Sequence, residues 1–132
     1  MKYILYYTQT GNTKVAAEKI KEVMEEAEIY NIDDFDTSKV MEGDTLILGC
    51  AAYGVEQLSD EMEEFIDKLE YSWEDRKVGL FGTYGWGDGT WMDQWSEKME
   101  GLGAGTAALK IQEDSIDDID YKGFADLFKE GA

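Results

Sequence analysis

Three short stretches of this chain hold residues whose types and spacing suit chemistry better than packing. The first, Thr8-Gln9-Thr10-Gly11-Asn12-Thr13, gathers three hydroxyls, two amides and a glycine with no charged side chain. Placed ahead of a helix, exposed N–H groups and hydroxyls of this kind cradle a phosphate. The same turn would also serve as a plain strand-to-helix connection with Thr13 as its cap. It lacks the lysine of a P-loop, which argues against nucleoside triphosphate hydrolysis. The second stretch, Gly49 to Glu56, lifts the Tyr53 ring out of the small residues Ala51, Ala52 and Gly54 and sets the Glu56 carboxylate three positions later. The third, Gly82-Thr83-Tyr84-Gly85-Trp86-Gly87-Asp88-Gly89, places a tryptophan between two glycines. A ring destined for a core does not need glycine on both sides, whereas a flat ligand stacked between two rings would explain both loops. The alternative is that Tyr53 and Trp86 merely lid the fold. Taken with the first turn, the pattern points to a planar ligand that carries a phosphate.

Regular elements must hold these loops. The run Tyr3 to Tyr7 is rich in aromatic and branched residues and reads as a strand. After the first loop, Ala16, Ile20, Val23 and Met24 recur at helical spacing. Thr45 to Cys50 is apolar without alternation, as in a parallel strand covered on both faces. Ser59-Asp60-Glu61 opens a second helix whose Met62, Phe65, Ile66 and Leu69 form one stripe, with the acids at the positive end of its dipole. Lys77 to Gly82 is the next strand. Thr90 is placed to cap a third helix, with Asp93 completing a capping box and Met92, Trp95, Met99 and Leu102 on one face. A strand from Ala107 to Ile111 and a helix with Tyr121, Phe124, Ala125 and Phe128 inward close the chain. Between them, Ile29 to Ile32 reads as a short edge strand and Thr37 to Met41 as one helical turn. Strands alternating with helices imply crossover units, hence a three-layer α/β fold with a doubly wound parallel sheet. Ligands of such sheets sit beyond the carboxyl ends of the strands, where all three loops fall.

Composition narrows the function. The 132 residues are expected to form one domain over 1–132. Twelve Lys and Arg against thirty Asp and Glu leave a formal charge of −18, a field that repels phosphate backbones and anionic lipid, so nucleic acid and membrane partners are not expected. No apolar run is long enough to span a bilayer or act as a secretory signal, which suggests a cytoplasmic protein. With no histidine and one cysteine, Cys50, the chain lacks the commonest general base and cannot close a disulfide within itself. Any redox chemistry must be carried by a borrowed cofactor. Cys50 ends an apolar strand and reads as a buried thiol, Trp95 as core, and Trp91 as a residue at the rim of the third loop. The acid-rich stretch from Glu56 to Asp75, with Lys68 its one cation, is a candidate docking surface for a basic partner.

The motifs T-x-T-G-N-T, G-C-A-A-Y-G-x-E and G-T-Y-G-W-G-D-G, in this order across the whole chain, resemble those of the short-chain flavodoxins of anaerobic bacteria. The resemblance implies a five-stranded parallel sheet in order 2-1-3-4-5, a non-covalently bound FMN, and one-electron shuttling between larger redox enzymes with basic surfaces by a monomeric carrier that is not itself an enzyme. By that similarity the phosphate lies on residues 8 to 13. Tyr53 packs on the inner face of the isoalloxazine and Trp86 on the outer. The backbone at Gly54 and Val55 answers the flavin N5, and Glu56 accepts from N3–H. Members of this type often carry proline where this chain has Ala51, methionine at Tyr53 and an acid at Val55, so the second loop here differs in stiffness and in the ring it offers. An acidic surround of Glu56, Asp60, Glu61, Asp88 and Asp93, with no basic residue in the flanking loops, would make the reduced protein a strong reductant. Two other functions share the fold. An FMN-dependent quinone reductase would be expected to have longer loops around a substrate pocket, and a phosphoacceptor receiver would need acids where this chain has Tyr6-Tyr7-Thr8.

Overall fold

The computed structural model describes residues 2–7, 11–40, 44–51, 60–69, 73–74, 76–84 and 89–128. Five strands form one sheet: β1 (Lys2–Tyr7), β2 (Glu28–Asn31), β3 (Thr45–Ala51), β4 (Lys77–Tyr84) and β5 (Gly105–Gln112). Their order is β2-β1-β3-β4-β5, and every neighbouring pair is parallel. Four helices connect or follow them: α1 (Asn12–Val23), α2 (Asp60–Lys68), α3 (Thr90–Gly101) and α4 (Tyr121–Asp126). Short 3₁₀ turns cover Ile32–Asp34, Thr37–Lys39 and Glu113–Ser115. The edge strand and the helical turn expected between Ile29 and Met41 are therefore present, Met41 itself lying outside the described residues.

The register explains why the central strands are apolar without alternation. Leu5, Leu48 and Leu80 stand side by side across β1, β3 and β4, and they face α2 and α3 through Met62, Phe65, Ile66, Met92, Trp95 and Met99. The next residue toward the N-terminus on β1 and β3, Ile4 and Ile47, points to the other face, where Ala16, Ala17 and Ile20 of α1 meet Phe124 and Ala125 of α4. Successive side chains of a strand serve opposite cores, so a strand buried on both sides needs apolar residues at every position. On the α1 side, Phe81 lies across Gly49, its register partner. A Cβ on that glycine would fall 2.1 Å from the Phe81 Cζ, so the ring occupies space that only glycine leaves free.

Three helical expectations change in the folded chain. Val23 and Leu102 are not inward: they are 37% and 44% exposed, Val23 as the last residue of α1 and Leu102 one residue past the end of α3. Met24 keeps the inward place expected of it, and Trp91 is buried as well. Thr90 is not a cap either. Gly89 holds the cap position at φ +77°, no side chain caps α3, and Thr90 is the first helical residue. The capping box therefore does not form, and Asp93 is instead paired with Lys110 of β5.

Candidate functional site

The three loops leave the sheet at one edge because their strands are neighbours. Tyr7 pairs with Cys50 and Cys50 with Gly82 at the carboxyl ends of β1, β3 and β4, and Ala51 pairs with Thr83 one residue further on. The chain runs outward from β1 to β2 on one side and from β3 to β4 and β5 on the other, so this edge is the point where the strand order reverses. Of the expected site residues, Gly11, Asn12, Thr13, Ala51, Thr83 and Tyr84 are described. Thr8, Gln9, Thr10, Ala52, Tyr53, Gly54, Glu56, Gly85, Trp86, Gly87 and Asp88 lie outside the described residues, as does Ser59.

The first turn is built by Gly11. Its φ of +94° is left-handed, which glycine adopts without steric cost, and a Cβ there would meet nothing within 4 Å, so conformation alone asks for glycine. Its carbonyl accepts from Val15 N–H at 3.1 Å and closes the first turn of α1. The N–H groups that open a helix have no carbonyl one turn earlier to bond, and the helix dipole adds positive potential there. In a chain this acidic, α2 fills that position with Asp60, Glu61 and Glu63 and α3 with Asp93, yet the first turn of α1 holds no carboxylate.

Thr13 does not cap α1: Gly11 holds the cap position, with no side-chain cap, and Thr13 is the second helical residue. Its side chain turns inward, is wholly buried, and meets the wholly buried Thr83 hydroxyl at 2.9 Å. This contact joins the start of α1 to the end of β4, across 70 residues of sequence. No local pattern announces it, since neither the order of the strands nor their heights can be read from either residue alone.

At the third loop, Tyr84 ends β4 half-buried and Gly89 holds the cap position of α3. A Cβ on Gly89 would lie 3.1 Å from Lys110 Cδ and 3.3 Å from Tyr84 Cε1, so the lysine stem and the tyrosine ring enclose this residue. The Lys110 ammonium then reaches both Asp93 oxygens at 3.2 Å. The acidic surround is accordingly not free of cations: β5 brings one to the foot of the third loop, and it offsets the charge of Asp93. Lys98 of α3 likewise lies 3.9 Å from Glu63 and 4.0 Å from Asp67 of α2, adding a second cation to an acidic helix that Lys68 alone served in sequence. Sequence reading passed over Lys110 because its role depends on the register that sets it beside Gly82.

Trp91 is not at the rim. It is 1% exposed and stacks on Trp95, with ring centroids 6.1 Å apart and planes 13° apart. The pair lies beneath β4, where a Cβ on Gly82 would come within 2.6 Å of the Trp91 ring. Neither indole N–H has a hydrogen-bond partner among the described residues, and both rings lie in the apolar core. Cys50 is buried, as its place at the end of β3 required.

A doubly wound parallel sheet, with three loop stems side by side at its switch point and no carboxylate in the first turn of α1, defines a doubly wound α/β protein whose ligand edge is that switch point. The comparisons narrow this class. The family model described as Flavodoxin matches residues 4–125. The flavodoxin of Megasphaera elsdenii is 38% identical over 120 residues, 85% of this chain and 88% of that protein. That of Clostridium beijerinckii is 42% identical over 105 residues, 76% of each. The solution structure of two-electron reduced Megasphaera elsdenii flavodoxin superposes with a TM-score of 0.84 at 34% identity, covering 95% of this chain and 96% of that one. This chain belongs to the flavodoxin family. Flavodoxins bind FMN, and the residues at the switch point fit that group. A phosphate ester offers acceptors only, and the first turn of α1 offers donors with no competing carboxylate.

Proposed function

We infer that this chain holds FMN non-covalently at the carboxyl edge of its sheet and carries single electrons between larger redox enzymes. The observation that carries the reading is the helix start without a carboxylate, set beside three adjacent loop stems in a chain of charge −18. FMN supplies a ring system that takes up and gives back electrons one at a time. The protein's part is to bind, orient and shield it. Residues 8 to 13 would receive the phosphate through Thr8, Gln9, Thr10, Gly11, Asn12 and Thr13, using neutral donors and the dipole in place of a lysine. Tyr53 and Trp86 would flank the ring, with Ala51, Ala52 and Gly54 on one side and Thr83, Tyr84, Gly85, Gly87 and Asp88 on the other. Glu56 would accept from the flavin N3–H, and the backbone at Gly54 would face N5. The motif order and the glycine-flanked rings support these assignments.

No substrate pocket is needed for a carrier, and the partners in this reading are redox enzymes with basic surfaces, met by a monomer in the cytoplasm. The charge of the chain and the acids opening α2 support such docking. The test is the purified protein: FMN at one per chain, and reduction by a basic redox enzyme at a rate that falls as ionic strength rises, are expected. A colourless protein that does not take up FMN would overturn the reading. Rapid oxidation of NAD(P)H by quinone with the protein alone would replace it with a quinone reductase.

A further inference from the structure

The acids of α2 divide by the side they face. Glu63 and Asp67 turn toward α3 and lie within 4.0 Å of the Lys98 ammonium. Glu61 and Glu64 turn the other way, toward the 3₁₀ turns that follow β2, where with Asp33 they rim a groove of about 310 Å³. Ile32, Phe35 and Phe65 form its floor, each less than a tenth exposed, and the two phenyl rings stand 6.2 Å apart at 56°. No ion pair among the described residues holds any of the three rim carboxylates. Lys68 also lines the groove, one helical turn after Glu64 at a spacing that suits a pair, yet the two do not meet. Three carboxylates against one ammonium leave the opening anionic above an apolar floor.

The sheet sets where this groove lies. Asn31, the last residue of β2, is level with Tyr6 of β1, so Ile32 falls at the carboxyl edge from which the three loops leave. A helix that joins parallel strands runs back against them, so the first two turns of α2, which carry Glu61, Glu64 and Phe65, start from the same edge. A cation of any shape is drawn by the rim, but only one on a long stem also covers the ring edges with its methylenes. A guanidinium suits such a place better than an ammonium, being more weakly hydrated and able to fork between carboxylates and to stack on aromatic rings.

We propose that the groove between α2 and the turns after β2 seats one long basic side chain, arginine or lysine, of the redox enzyme that docks on this protein. Its stem lies on Ile32, Phe35 and Phe65, and its charged head bonds among Asp33, Glu61 and Glu64. The seat converts a diffuse attraction into a fixed orientation, because the partner's cation is held beside the carboxyl edge of the sheet. This proposal rests on the reading of the chain as a carrier that docks basic redox enzymes.

Two assays on the full-length protein test it. In the first, the amides of N-acetyl-arginine, N-acetyl-lysine and the uncharged N-acetyl-citrulline are titrated at low salt into the isotope-labelled protein as purified, with backbone amide NMR as readout. Saturable shifts at Asp33, Phe35, Glu64 and Phe65 are expected with both cations, at lower concentration for arginine, and none with citrulline. Equal shifts with all three, or shifts that spare the groove, would overturn the seat. In the second, oxidation of the reduced FMN-loaded protein by a basic c-type cytochrome, used as a probe, is followed by stopped flow. The variants are the groove triple Asp33→Asn/Glu61→Gln/Glu64→Gln, a charge-matched triple on the opposite face, Glu18→Gln/Glu22→Gln/Glu25→Gln, and Thr37→Tyr, which fills the groove without changing its charge. At low salt the rate is expected to fall about tenfold in the groove triple, about twofold in the α1 triple and about fivefold in Thr37→Tyr, the last with the salt dependence of the wild type. Equal losses in the two triples, or a wild-type rate in Thr37→Tyr, would overturn the seat and leave docking to the overall field. A purified protein that takes up no FMN, or a rate without salt dependence in every variant, would bring down the carrier reading, and the arginine titration would still decide for or against the groove.

Discussion

Replacing Gly49 with alanine puts one methyl group against a ring that has nowhere to go. On β3 the new Cβ would stand 2.1, 2.2 and 2.4 Å from Cζ, Cε2 and Cε1 of Phe81, against the 3.4 Å at which ordinary contact begins. The ring would have to retreat by about 1.3 Å, the difference between those distances, yet Phe81 is wholly buried in a core packed like a crystal. Overpacking of this kind costs about 1–3 kcal/mol, and alanine returns about 0.5–1 kcal/mol by restricting the unfolded chain. The net expectation is a loss of about 1–2 kcal/mol. For 132 residues at about 2.1 cal/mol/K each, that lowers Tm by roughly 4–7 °C. The assay is urea unfolding of the FMN-free protein, since a ligand that binds only the native state would mask part of the change. The partner variant is Phe81→Leu, which removes the three ring atoms that collide. The double variant Gly49→Ala/Phe81→Leu is expected to be no less stable than Phe81→Leu alone, a coupling of about 1–2 kcal/mol. Additive losses in the double variant would refute the collision, and an unchanged Gly49→Ala would refute the close packing of β3 on β4 at the foot of the site.

Trp86→Ala is expected to weaken FMN roughly tenfold and restore flavin fluorescence, since a stacked ring contributes about 0.5–1.5 kcal/mol beyond its buried area; unchanged affinity and quenching would remove Trp86 from the site. Gly11→Ala should cost about 1 kcal/mol of stability through its φ of +94° alone, and Gly11→Asn less, because a Cβ there meets nothing; equal costs in urea unfolding would point to crowding instead. Burial, with Asp117 nearby, pushes Tyr121 up to about 12, and burial raises Tyr3 and Tyr6 as well. The unfolded chain therefore loses these phenol protons first, so stability is full below pH about 10 and declines as pH rises toward about 12. Tyr121→Phe should flatten that decline in thermal melts, while lowering stability at neutral pH by the bond its hydroxyl donates to the Ile116 carbonyl at 2.6 Å. Asp60→Asn with Glu61→Gln should slow reduction by a basic donor at low salt and reduce its salt dependence; a rate and salt slope like those of the wild type would exclude the start of α2 from docking.

Much of this protein was legible before folding. Apolar runs without alternation announced strands covered on both faces, and the stripe Met62, Phe65, Ile66 and Leu69 announced the inward side of α2, because periodicity reports which way each side chain points. The glycine-bearing loops prompted a ligand reading, since a ring between two glycines or a turn of uncharged donors makes little sense as packing. Periodicity does not report which residues meet. Val23 and Leu102 fit their stripes yet are exposed, because a place on a stripe does not say whether a neighbouring element reaches far enough to cover it. Trp91 read as rim and is core, because α3 crosses beneath Gly82, where its ring, stacked on Trp95, fills the space that glycine leaves. Lys110 reaches Asp93 only because β5 lies beside β4 with Lys110 level with Gly82. The Thr13 and Thr83 hydroxyls meet only because α1 starts over the carboxyl end of β4, two strands away from the strand that precedes it. The period of a local pattern is a property of the backbone, and the sequence carries it everywhere; strand order and register are properties of the closed sheet, and they alone bring distant side chains within reach of one another.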